Sequence, residues 1–218
     1  MSTYVTAKLI DFDEQNNLIV RPDCDIMRAY MQQGFSVVEL RLDDGRTISA
    51  DQRRKIFALI RDISNWNGDI PDDLRKRMVW NFCELKDIEP FSLKNTDMTT
   101  AREFINYLIE FCFAYDVPCM DALLNRTDDI SKYLYLCLEY RRCAICGKKA
   151  DVHHCTGSTI GMGGDRTQVH HKGREAIALC RTHHTLIEAK GDAYVFDKWH
   201  VYGTKLDDYL CKRLKLRP

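Results

Sequence analysis

The 218-residue sequence predicts an α+β protein: a small antiparallel sheet, then a run of helices, then a compact metal-bound module at the C-terminal end. Three observations carry that prediction. Residues 4–48 alternate apolar and polar side chains between turn signals, residues 49–140 place apolar residues at helical spacing, and residues 143–188 hold two close pairs of metal-ligand side chains.

Composition sets the outer bounds. A hydrophobic content of 45% and a charged content of 29% describe a folded chain, neither disordered nor membrane-spanning. No apolar run approaches the ~20 residues that cross a bilayer, and residues 1–7 do not begin a signal peptide. The expected compartment is therefore the cytoplasm, with no membrane partner. The formal charge is zero but unevenly spread: residues 141–218 carry 15 Lys/Arg against 8 Asp/Glu, a balance of +7, which leaves −7 on residues 1–140. All seven histidines lie in the basic part. Such a division points to two functional units, 1–140 and 141–218, the second suited to a polyanion.

The elements follow in order. Residues 4–10 and 17–21 read as strands joined by a turn around Glu14 to Asn17. Residues 28–34 read as a short helix and 36–42 as an alternating strand, with Asp44 and Gly45 as a hairpin signal into 46–48. Ser49 and Gln52 form a capping box ahead of Ile56, Leu59, Ile60 and Ile63, and Trp66-Asn67-Gly68 ends that helix. Pro71 opens the next, with Leu74, Met78, Val79 and Phe82 on one face. Thr100 and Glu103 predict another capping box before Phe104, Ile105, Leu108, Ile109 and Cys112. Thr127 is placed to cap a further helix through Ile130, Leu134, Cys137 and Leu138. The unit boundary falls near Tyr140.

Of the ten cysteines, Cys24, Cys83, Cys112, Cys119 and Cys137 are scattered among apolar neighbours, as free thiols in a reducing compartment would be. Four other ligands are organised. Cys143-x2-Cys146 and Cys180-x2-His183 are the two close pairs that a tetrahedral structural zinc site needs. Once they are assigned, His153, His154, His170, His171, His184 and Glu188 remain in the same stretch. That is too much imidazole for one zinc ion, and it predicts a second, catalytic centre. Cys155 is surplus to the zinc set, and Asp151 is a carboxylate close enough to orient His153 or His184.

The N-terminal segment RTISADQRRKIFALIRDISNW resembles the start of the NinB (Orf) family of lambdoid phage recombination mediators, through Arg46, Asp51, Gln52, Arg54 and Lys55. The resemblance implies single-strand DNA binding, with Arg46, Arg54 and Lys55 as contacts, by a homodimer working beside a single-strand-binding or recombinase protein. A capped helix with solvated Arg and Lys accounts for the same spacing.

The C-terminal stretch resembles the HNH (ββα-metal) endonucleases, above all the zinc-containing HNH proteins of phages. The matching positions are His153, His154, Gly161, Met162, Gly163, Gly164, Asp165, Arg166, His171, Gly173, Leu179, Cys180, His183 and His184. The resemblance implies a zinc-bound ββα-metal fold for residues 141–218. It also implies cleavage of DNA to a 5′-phosphate and a 3′-hydroxyl with Mg²⁺ or Mn²⁺, in a host-cell cytoplasm. Carried over, His154 is the general base, and His153 and His184 are ligands of the catalytic ion. Glu188 stands where a histidine ligand is expected, and its oxygen suits a harder cation. His171, or alternatively His170, takes the place of the middle residue that positions the base loop. The glycine-rich segment 157–164 would let backbone amides approach a phosphate, and Arg166, Lys172, Arg174 and Arg181 would grip the DNA backbone.

Together these readings predict an endonuclease acting on single-stranded or branched recombination intermediates, with duplex DNA as a further candidate substrate. The rivals are a non-catalytic mediator whose zinc module only grips DNA, and a head-associated packaging nuclease. Retention of His153, His154 and His184 favours the enzyme, because a binding module needs none of them.

Overall fold

The computed structural model describes residues 7–15, 17–22, 46–158 and 169–218. Over these the chain is α+β, with small antiparallel sheets and, among the described residues, seven α-helices. No helix among them is long and apolar enough to cross a membrane. The chain divides into two compact units, Met1–Asp44 and Gly45–Pro218, so the boundary expected near residue 140 lies inside the second. The helix expected over 28–34, the strand over 36–42, the Asp44 and Gly45 turn and the first three residues of the 4–10 strand lie outside the described residues.

In the first unit β1 (Ala7–Phe12) and β2 (Leu18–Pro22) pair antiparallel, with Ala7 opposite Pro22 and Phe12 opposite Leu18. The turn between them closes on Asp13, whose carboxylate accepts the main-chain N–H of Gln15 at 2.9 Å and of Asn17 at 2.8 Å. A short polar side chain that bonds the backbone ahead of it is what fixes a turn of this kind.

The second unit opens with α1 (Ala50–Asn67). Its capping box forms as expected: Ser49 Oγ accepts Gln52 N–H and Gln52 Oε1 accepts Ser49 N–H, each at 3.0 Å. Gln52 does more than cap. It is buried, and its Nε2 donates to Met98 O at 2.9 Å and to Asp128 Oδ2 at 2.7 Å. Gly68 ends the helix at φ 78°, a conformation that a side chain would strain. Pro71 then sits at the first position of α2 (Pro71–Lys86).

Two helix starts differ from expectation. Helix α3 (Met98–Ala114) is capped by Asp97, which accepts Thr100 N–H at 2.7 Å, so the Thr100–Glu103 box does not form. Tertiary bonds choose the cap: Ile48 N–H donates to Thr96 O and Met98 N–H to Arg46 O, tying this start to the chain before α1. Helix α4 (Ile130–Glu139) is likewise capped by Asp129, accepting Lys132 N–H at 3.0 Å, while Thr127 hydrogen-bonds the backbone of Asp129.

Helix α1 packs on α2 and α3, and Ile56, Leu59, Ile60, Leu74, Phe82, Phe104, Ile105 and Leu108 are buried in the shared core. The same core continues through α4 into the C-terminal elements. These are β3 (Asp151–His154), β4 (Glu175–Leu179), α5 (Arg181–Lys190), α6 (Asp192–Trp199), β5 (Thr204–Lys205) and α7 (Asp208–Leu214). Strand β4 lies between β3 and β5, antiparallel to both. Helix α4 touches α3 on one side and β4, β5 and α7 on the other. Its Tyr133, 1% exposed, donates its hydroxyl to Ala144 O at 3.0 Å and so anchors the loop that carries Cys143 and Cys146. Tyr133→Phe leaves that buried carbonyl without its donor. It should cost about 1–3 kcal/mol in denaturant unfolding, and an unchanged midpoint would show that the bond is replaceable.

Candidate metal centres and active site

The Cys143–Cys146 loop is a tight hairpin. Cys143 N–H donates to Lys148 O at 2.7 Å, Gly147 N–H returns to Cys143 O at 2.8 Å, and Gly147 takes φ 71° to close the turn. Ala144 N–H donates to Ala178 O at 2.9 Å, which lays the hairpin against β4. Cys180 is the N-cap residue of α5 and His183 lies three residues on, so the helix start turns both side chains toward the hairpin. The three sulfurs and one His183 nitrogen all lie within 4.8 Å of one another. His183 Nδ1 is 3.4 Å from Cys143 Sγ and 3.3 Å from Cys180 Sγ, and Cys146 Sγ is 3.6 Å from Cys180 Sγ. A tetrahedron with Zn–S near ~2.3 Å and Zn–N near ~2.0–2.1 Å has edges of roughly 3.5–3.8 Å, so donors and spacing fit a zinc ion. Burial pushes the Cys143 thiol up to about 12, so a thiolate there is one that a cation must stabilise. Cys155 is buried outside this set, and its Sγ would lie 2.5 Å from a Cβ at Gly203, which keeps that position to glycine.

The histidines divide between two faces. Side chains alternate along a strand, so adjacent His153 and His154 on β3 point to opposite sides of the sheet. On one side His154 Nε2 lies 2.9 Å from His171 Nδ1. His171 is 1% exposed, and its main-chain N–H donates to Arg217 O at 2.9 Å, so the C-terminal tail holds it in place. His170, the alternative, is exposed, with Nδ1 2.5 Å from Pro218 O.

On the other side His153 meets His184 edge to face, with ring centroids 4.8 Å apart. His184 and Glu188, four residues apart on α5, approach with Nδ1 3.3 Å from Oε1. Asp192 is the residue the sequence reading missed. Its Oδ1 lies 3.5 Å from His153 Nε2, while its Oδ2 accepts Thr156 N–H at 2.6 Å. Asp151 is exposed on β3, so the carboxylate beside His153 is Asp192. Among the described residues neither His153 Nε2 nor His184 Nδ1 has a hydrogen-bond partner, although both atoms are buried. Orphaned buried ring nitrogens beside carboxylates are what a bound cation would satisfy. Burial, with His184 adding to it, lowers the His153 pKa and keeps the imidazole in the neutral form that can bind one. Among the described residues, only the Cys₃His group brings three or more donors within 4.8 Å of one another; the second group is more open.

The remaining predicted contacts are dispersed. Arg181 is exposed at the first position of α5. Lys172 is exposed and paired with Asp208 at 2.5 Å. Arg174 is half-buried and donates to His170 O and Ser158 O, at 2.8 and 2.9 Å. On α1, Arg54 pairs with Asp51 on the surface, and Lys55 is tied to Asp51, Asp128 and Thr127 O. Arg46 is exposed, just before that helix. Arg166 and the glycine-rich residues 161–164 lie outside the described residues.

The family described as Putative HNHc nuclease matches this chain over residues 20–217. No curated protein and no solved structure matches it.

Proposed function

The chain belongs to the HNHc nuclease family, and from that premise we propose that it is a divalent-metal-dependent endonuclease hydrolysing DNA phosphodiesters. One observation carries the reading. Among the described residues His153 Nε2 and His184 Nδ1 are buried with no hydrogen-bond partner, on the other sheet face from the paired His154 and His171. Metal-ligand side chains and a positioned imidazole carried by adjacent residues of one strand are the two components that metal-assisted phosphodiester hydrolysis requires.

His154 is the general base. Its Nε2 lies 2.9 Å from His171 Nδ1, a contact that orients the ring, and a neutral imidazole takes the proton from attacking water. His171 is a positioning residue, held by burial and by Arg217. His153, His184 and Glu188 hold Mg²⁺ or Mn²⁺, which when bound supplies positive charge opposite the phosphate and the leaving oxygen. Cys143, Cys146, Cys180 and His183 hold zinc, which fixes the start of α5 and hence His184. Arg166, Lys172, Arg174 and Arg181 supply positive charge to the DNA backbone, and the products are a 5′-phosphate and a 3′-hydroxyl. The substrate class is single-stranded or branched DNA of phage recombination, in the host cytoplasm. The partners are a second copy of the chain and a single-strand-binding or recombinase protein, with Arg46, Arg54 and Lys55 as further contacts. The +7 balance of residues 141–218 supports a polyanion as substrate.

The test is cleavage of single-stranded, duplex and branched DNA with Mg²⁺, Mn²⁺ or EDTA. Metal-dependent nicking of any of the three supports the enzyme. Tight DNA binding with no cleavage under every metal would instead establish the non-catalytic mediator. Affinity for DNA should also fall steeply as salt rises from 50 to 200 mM, because each phosphate contact releases counterions. A flat salt dependence would remove the basic surface from the argument.

A further inference from the structure

On the reading of His154 as the base, we propose that Arg174 is a positioning residue: its guanidinium fixes the peptide that carries His171 and so holds that ring against His154. Residues 171–174 form a turn in which Arg174 N–H donates to His171 O at 3.1 Å, with Gly173 at φ 79° in its third position. Leu206 N–H donates to Arg174 O at 2.9 Å and Gly173 N–H to Leu206 O at 2.8 Å, so the backbone of Arg174 is anchored beside the end of β5. From there its side chain turns back on the chain that precedes it. Nε donates to His170 O at 2.8 Å and Nη1 to Ser158 O at 2.9 Å.

His170 O belongs to the same peptide group as His171 N–H, which donates to Arg217 O at 2.9 Å. Both polar groups of that one rigid plane are therefore bonded, the oxygen by Arg174 and the nitrogen by the C-terminal tail. The plane sets the direction in which the His171 side chain leaves the backbone, and the ring ends with Nδ1 2.9 Å from His154 Nε2. The second arm ties the same guanidinium to the strand pair that carries His154. Ser158 N–H donates to Cys155 O at 2.8 Å, Ser158 Oγ accepts Glu175 N–H at 3.0 Å, and Cys155 N–H donates to Glu175 O at 2.9 Å. Arg174 thus bridges the two segments whose relative placement makes the His154–His171 contact. Its half-buried guanidinium still carries positive charge for the DNA backbone, but charge alone does not account for two donors spent on carbonyls. Lysine would keep the charge and lose the bridge, because a single ammonium nitrogen does not offer the planar fork of a guanidinium.

The test uses the full chain with zinc already loaded, its zinc content and melting temperature checked in each variant. Arg174→Lys should lower kcat about 10–100-fold, as expected of a catalytic group displaced by about 1 Å. Its KM, its DNA affinity and the slope of that affinity with salt should stay near wild type, because the charge is retained. Arg174→Ala should lose kcat to the same extent and weaken DNA binding as well. Heteronuclear NMR of the imidazole nitrogens, which needs no cleavage, should show the His154 and His171 ring signals moved in Arg174→Lys. Unmoved ring signals would reduce Arg174 to a phosphate contact and overturn the proposal whatever the rate. Moved signals with wild-type kcat would overturn it too, as would loss of zinc or of the fold in Arg174→Lys, which would make Arg174 a support of the whole module. If wild type cuts no DNA, the base reading itself falls, and moved ring signals would still assign the placement of His171 to Arg174.

Discussion

His154→Ala should slow DNA cleavage by about 10²–10⁴-fold while leaving DNA affinity and zinc content nearly unchanged. The magnitude is that of a general base removed from a site whose cation and phosphate contacts remain. His154 lies on the opposite sheet face from His153, His184 and Asp192, so its loss does not strip the cation. Its partner His171 is buried, and a cavity left beside it could move the loop; imidazole in solution separates the two effects. Restored cleavage on adding imidazole identifies a missing base, because a displaced loop is not repaired by a small diffusible base. His171→Ala should be milder in rate and poorly rescued, since it leaves the base present but turned. Wild-type cleavage by His154→Ala would overturn the assignment of the base.

Legibility in the sequence followed the range of each interaction. The zinc ligands were readable because a hairpin and a helix start fix C-x2-C and C-x2-H locally, and the structure only had to bring the two pairs together. The cap of α1 was readable for the same reason, since Ser49 and Gln52 bond each other. The caps of α3 and α4 were not. Asp97 and Thr100, or Thr127 and Asp129, compete within three residues, and for α3 the choice is made by bonds to the segment before α1. The role expected for His171 came from family resemblance, and its 2.9 Å approach to His154 spans residues whose local pattern specifies nothing about it. Asp192 had no signal beyond a helix-opening acid after glycine. Its place beside His153 depends on how α6 folds back toward β3, a long-range fact. In the motif resembling recombination mediators, Gln52 and Lys55 also bond Met98, Thr127 and Asp128 and so join α1 to the rest of its unit, which its sequence spacing does not show.

Cys180→Ser should abolish tight zinc binding and lower the melting temperature of residues 45–218 as one transition. The substitution is chosen because Cys180 is the N-cap of α5 and serine is among the best N-cap residues. Cys180 makes no side-chain cap bond, so serine removes none, and lost stability reports the missing thiolate. Structural zinc contributes apparent binding free energies of about 10–16 kcal/mol in small zinc modules, where metal loss unfolds the chain. Here the hairpin and α5 also pack into a continuous core through Tyr133, Ala144, Leu179 and Ile187, so part of the fold has support independent of the ion. Metal loss should therefore destabilise without erasing helix content at 25 °C, and the same should follow from prolonged chelation of wild type. Because α4 joins the helical layer to β4, β5 and α7, that loss should be felt throughout the unit. Two separate transitions, with residues 45–140 melting as in wild type, would mean that the C-terminal module folds on its own. Full stability with no zinc bound would mean that the four ligands are packed cysteines and a histidine, without a structural ion.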